Sequence, residues 1–179
     1  MTEANTTATA DGLARRMPWP RFLLRAGLAL LLVLGAGAYV TDRFRIGLDD
    51  QSRQCLPPHR WFLIDLYDRD LGQGALVAFV ALGLDPYFRD GQTVVKRVAG
   101  VPGDRVTVDP EAVRINGALV GEGLALAGTL ARAPSDFHRS DILPSGHLWV
   151  MGETGDSFDS RYWGPLPQAQ VIGRAYALW

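Results

Sequence analysis

The chain has 179 residues, a formal net charge of −1 and 47% hydrophobic residues, room for one ordinary domain plus a membrane segment. So balanced a charge supplies no field to draw nucleic acid, and no nucleic-acid partner is expected. One cysteine, Cys55, excludes an internal disulfide; His59, His138 and His147 show no metal-ligand spacing with it, so no metal or other cofactor is expected.

Residues 1–20 are polar, small and poor in aliphatics, the composition of a disordered tail. Residues 22–40 (FLLRAGLALLLVLGAGAYV) are apolar except for Arg25 and would span about 28 Å as a helix, close to the ~30 Å hydrocarbon core. A transmembrane anchor over 21–41 is therefore expected. A cleaved signal peptide is the weaker reading, because the run outlasts an ordinary h-region. Arg15, Arg16, Arg21 and Arg25 lie at or before its start, against Arg43 and Arg45 after its end. That excess puts the N-terminus in the cytoplasm and residues 45–179 outside it.

Beyond the anchor, strand patterns follow at 61–66 (WFLIDL), 75–82 (ALVAFVAL), 93–98 (TVVKRV) and 105–108 (RVTV), each bounded by turn residues. Residues 113–119 (VRINGAL) predict a hairpin, since Asn116-Gly117 supplies the positive-φ pair of a type I′ turn. Residues 147–151 (HLWVM) and 171–178 (VIGRAYAL) complete an all-β soluble domain, with 119–140 an irregular insertion.

Three segments carry chemistry. Lys96 sits among Val94, Val95 and Val98; if it points inward, desolvation disfavours the ammonium and frees an amine to act as a base. Strand alternation alone would equally allow a solvated lysine. Residues 152–164 (GETGDSFDSRYWG) combine glycines with Ser157, Asp159, Ser160 and Arg161; in an extended chain Asp159 and Arg161 share a side and can pair. A solvated turn with a surface ion pair is the commoner use of such residues. Cys55, in QSRQCLPPHRW, precedes two prolines that hold the chain out of a helix, although a lone cysteine is more often a buried, inert thiol.

In this order the segments resemble the type I signal peptidase family. VVKRVAGVPGD (94–104) is similar to that family's general-base box, and GETGDSFDSRYWG to its C-terminal S-x-D-S-R box, with Gly152-Glu153-Thr154 replacing the usual G-D-N start. GALVAF (74–79) and the ending VIGRAYALW resemble two further strands of the family. The resemblance covers roughly 22–179, with 108–144 unmatched. It departs at the nucleophile: where the family has serine followed closely by proline, this chain has Cys55-Leu56-Pro57-Pro58. Ser52 competes, but no proline follows it at that spacing. Compact size and the C-L-P element look more like the conjugative-transfer (TraF-type) branch than the housekeeping one.

The resemblance implies a peptidase of the inner membrane that removes signal peptides from exported precursors, pilins or other conjugation and type IV secretion proteins in the branch favoured. Cys55 would be the nucleophile and Lys96 the general base of an acyl-enzyme mechanism. Ser157 would orient the amine, Asp159 and Arg161 would brace its loop, and backbone N–H groups near Cys55 would hold the oxyanion. A thiol favours handing its proton to an amine before attack, whereas burial disfavours both resulting charges, so the resting state stays open. The alternatives are a housekeeping signal peptidase, and an inactive anchored β domain that binds a secretion-complex partner. The retained lysine and S-x-D-S-R core argue against the second.

Overall fold

A computed structural model describes residues 18–49, 51 and 53–178. The tail over 1–17 and the competing Ser52 lie outside the described residues. The chain divides into two units at Val40–Thr41.

The first unit carries most of helix α1, Trp19–Arg43, which begins two residues ahead of the expected anchor. Pro20 falls in its first turn, where a missing N–H costs nothing. None of its residues is buried, and its mean hydropathy reaches 2.0 in an 18-residue window. It is long and apolar enough to cross a membrane.

Among the described residues, the second unit holds eleven strands. They are β1 Phe44–Leu48, β2 Trp61–Asp65, β3 Leu76–Val80, β4 Thr93–Gly100, β5 Arg105–Val108, β6 Ala112–Ile115, β7 Ala118–Glu122, β8 Arg139–Ile142, β9 His147–Met151, β10 Leu166–Pro167 and β11 Val171–Ala177. A seven-stranded sheet runs β1-β2-β11-β3-β4-β9-β10 and a four-stranded sheet β7-β6-β5-β8, with antiparallel pairing throughout. The expected hairpin forms between β6 and β7, with Asn116 at φ 51° and Gly117 at φ 86°.

Side chains alternate between two cores, as the strand period of two requires. Val77 and Phe79 of β3 enter a large cluster with Val98, Val106, Ile115, Trp149 and Phe158, which joins residues of both sheets. Ala78, between them, enters a smaller cluster with Leu56, Phe62, Ile64 and Ala175. On β4 the buried positions are Val94, Lys96, Val98 and Gly100, so the lysine takes the face that Val94 and Val98 give to the large core.

Two expectations need correction. Residues 119–140 are not irregular throughout: β7 continues to Glu122, Pro134–Phe137 form a 3-10 turn and β8 starts at Arg139. Nor is the stretch around Asp159 and Arg161 extended, because Ser160–Trp163 make a short helix, α2, capped by the Asp159 side chain.

Candidate active site

Lys96 is fully buried, at 0% exposure. Its Nζ donates to Ser157 Oγ at 2.7 Å and lies 5.6 Å from the centroid of the Phe88 ring. That partner is a neutral hydroxyl, not a carboxylate. Ser157 is itself 1% exposed, so the pair has fixed geometry.

The loop that carries Ser157 is held from below by one guanidinium. Arg161 and Asp159 are buried and face each other in a fork, Nε to Oδ1 at 2.8 Å and Nη2 to Oδ2 at 2.9 Å. The remaining Arg161 hydrogens reach the carbonyls of Thr154, Gly155 and Ser157, and across the chain those of Glu122 and Gly123. Burial opposes the charge of Arg161, and the bonds it donates to Asp159, with the carboxylate's charge, outweigh it, so its pKa stands above the ordinary value. Asp159 also accepts from Gly152 N at 3.0 Å, and Ser160 Oγ accepts from Val150 N at 3.0 Å. The far end of the loop is thereby tied back to β9 and to the glycine that follows it. Sequence reasoning anticipated the ion pair; a core position for it is the opposite of the solvated turn that such residues usually make.

Cys55 approaches from the other side and is half-buried. Its carbonyl accepts from Glu153 N at 2.7 Å, which ties its segment to the Ser157 loop. Its Sγ donates to Gln51 Oε1 at 3.6 Å. Cys55 and Lys96 border one cleft of about 850 Å³, whose apolar lining includes Leu48, Phe62, Ile64 and Val95. The five candidate residues are thus brought to one region: Cys55 and Lys96 on a shared cleft, Ser157 on the lysine, Asp159 and Arg161 beneath the loop.

Gly152 decides whether that arrangement closes. A Cβ there would overlap Ser157 Oγ, stand 2.6 Å from Ser157 Cβ and 2.9 Å from the Cys55 carbonyl oxygen. Only glycine lets the loop pass so close to both segments. Gln51 and Gly152 were not singled out from sequence; the G-E-T-G start hinted at the second, and nothing pointed to the first.

Among the described residues, one N-terminal helix long and apolar enough to cross a membrane precedes a two-sheet β unit in which a buried lysine borders a cleft. Residues 19–179 match the family model for signal peptidase, peptidase S26, and the chain belongs to that family. A probable signal peptidase I-2 of Synechocystis is 29% identical over 109 residues, 60% of this chain and 48% of that protein. The plasmid transfer protein TraF of Escherichia coli is 32% identical over 162 residues, 84% of this chain and 85% of that protein. A crystallised signal peptidase I from Enterococcus faecalis is 28% identical over 57% of this chain and 94% of its own, at a TM-score of 0.36. The chain spans about half the length of the signal peptidase I relatives it matches.

Proposed function

We propose that this chain is a signal peptidase anchored by α1, with residues 1–20 cytoplasmic and a catalytic domain over 45–179 outside. It cuts exported precursors through a Cys55–Lys96 dyad. The observation that carries this reading is the buried Lys96 amine, held by Ser157 on the cleft that Cys55 borders. A scaffold that only bound partners would have no use for a buried amine on a cleft that a thiol also borders.

In the reaction, the Cys55 sulfur gives up its proton to Lys96 and attacks the carbonyl carbon that precedes the cut. The tetrahedral intermediate collapses as the C–N bond breaks, and Lys96 returns the proton to the departing amine. Water, deprotonated by the same amine, then hydrolyses the thioester and frees the thiol. Ser157 keeps Nζ aimed through both steps, and Arg161 with Asp159 fixes the loop from which Ser157 acts. Leu48, Phe62, Ile64 and Val95 give this cleft an apolar stretch that suits the small, apolar residues that end a signal sequence.

The substrates proposed are pilin precursors or other proteins of a conjugation or type IV secretion apparatus. Support comes from the match to the plasmid transfer protein, which extends over 84% of this chain. Processing of pilin-type and general secretory precursors, by the full chain in liposomes, tests both parts. Cys55→Ala and Lys96→Ala should each abolish cleavage, and Ser52→Ala should leave most of it. Wild-type processing by Cys55→Ala would refute the dyad; equal rates on both precursor types would refute the substrate assignment.

A further inference from the structure

A peptide cut at Cys55 has to leave that residue in two directions, and two clefts meet there. The second, about 470 Å³, shares only Gln51, Cys55 and Phe88 with the first. Its other lining is Tyr87 and Phe158, the Arg53–Asp156 ion pair at 2.8 Å, Thr154, and two residues of the 119–140 insertion, Leu126 and Thr129.

The insertion is held there by contacts of its own. Leu124 and Ala127 are buried, and Leu126 N donates to the Tyr162 hydroxyl at 3.0 Å. The Phe137 ring stands edge-on to Tyr162, Tyr162 stacks on Phe158, and Phe158 lies 4.7 Å from Tyr87 and 6.0 Å from Phe88. An unbroken run of rings thus leads from the insertion to the cleft beside Cys55, fixing the positions of Leu126 and Thr129.

Resting on the dyad proposed above, we infer that this second cleft is the subsite for the first two residues of the released chain, with 119–140 as its specificity-determining wall. The first cleft, whose lining includes Leu48, Ile64, Val94 and Val95 among polar residues such as Gln92 and Thr93, fits the apolar end of the signal sequence. The second has an aromatic floor and a charged, hydroxylated rim, and takes an apolar or aromatic side chain whose neighbours stay in water. Because the residue after the cut departs with the amine, its selection appears in acylation and hence in kcat/KM.

The experiment uses the full chain in liposomes and precursors that differ only in the first two residues after the cut: alanine, leucine, phenylalanine or aspartate. Leucine and phenylalanine should exceed aspartate in kcat/KM by roughly tenfold or more. Thr129→Trp, at an exposed position, fills the cleft and should cut the phenylalanine-to-alanine ratio about tenfold. Leu126→Ala enlarges it and should raise that ratio, and neither variant should alter preference for the residue before the cut. Cleavage with ratios that both variants leave unchanged overturns the cleft assignment alone. Absence of cleavage of every precursor by the wild-type chain overturns the dyad and this subsite together.

Discussion

Replacing Gly152 by alanine puts one methyl group where three segments converge. The new carbon would lie 2.6 Å from Ser157 Cβ and 2.9 Å from the Cys55 carbonyl oxygen, and would overlap the Ser157 hydroxyl outright. Rotating Ser157 about χ1 moves its hydroxyl away but not its Cβ, so the backbone must yield. Overpacking of this kind costs ~1–3 kcal/mol. The larger effect falls on chemistry: either Ser157 releases Lys96 Nζ from its 2.7 Å bond or the Cys55 segment withdraws. A misplacement near 1 Å costs about 10²-fold in rate. Precursor processing should therefore lose roughly 10²-fold in kcat, with a smaller change in KM, while differential scanning fluorimetry shows only a modest fall in Tm. With Ser157→Ala in the background the hydroxyl is already gone. Gly152→Ala should then cost much less additional rate, yet still cost stability, because the Cβ remains. Wild-type turnover by Gly152→Ala, or rate losses that add in full, would refute the reasoning.

Lys96→Met preserves volume and removes a buried polar group, so processing should vanish while Tm holds or rises; a collapse of Tm would make the lysine structural. Arg161→Ala leaves Asp159 buried without its partner at a cost of ~3–5 kcal/mol, which should lower Tm by about 10 °C or more. Arg161→Lys should rescue little, since an ammonium cannot reproduce the fork, and rescue to wild-type Tm would count against the fork. Bonds from Arg43 hold the Asp65 carboxyl below its usual range, at 2.9 and 2.6 Å. The stability this carboxylate contributes is present above the unfolded pKa, near 4, and is lost as pH falls through the lower folded value. Asp65→Asn should flatten the acid limb of a stability–pH curve, and an unchanged limb would exclude Asp65 as its source.

The sequence made the strands legible wherever apolar residues alternate. β5 and β9 occupy the predicted residues, and β4 follows the Val94–Val98 pattern that carries Lys96 inward. β8 (RSDI) and β10 (LP) were missed because neither alternates over enough residues, and their partners in the ladder impose the strand; β1 (FRIGL) does alternate and was passed over where it adjoins the anchor. At the site, Asp159 and Arg161 could be paired from their spacing, but their burial depends on Glu122 and Gly123, distant in sequence. The order in 119–140 was equally hidden, since the tyrosine that receives Leu126 lies 36 positions away. Residue chemistry was readable locally; the surroundings that give it meaning arrive from elsewhere in the chain.

The bonds that assemble the site are also long in sequence: 61 positions from Lys96 to Ser157, 39 from Arg161 to Glu122 and 103 from Arg53 to Asp156. Each closes a loop whose entropy must be met before the contact returns anything. Contacts of such separation belong to slow-folding, high-contact-order topologies. No short fragment of the chain contains both the amine and its hydroxyl. A nascent or partly folded molecule therefore lacks the Lys96–Ser157 pair on which the proposed dyad depends, and that pair arrives together with the finished sheets. On that proposal, topology itself delays activity until folding is done.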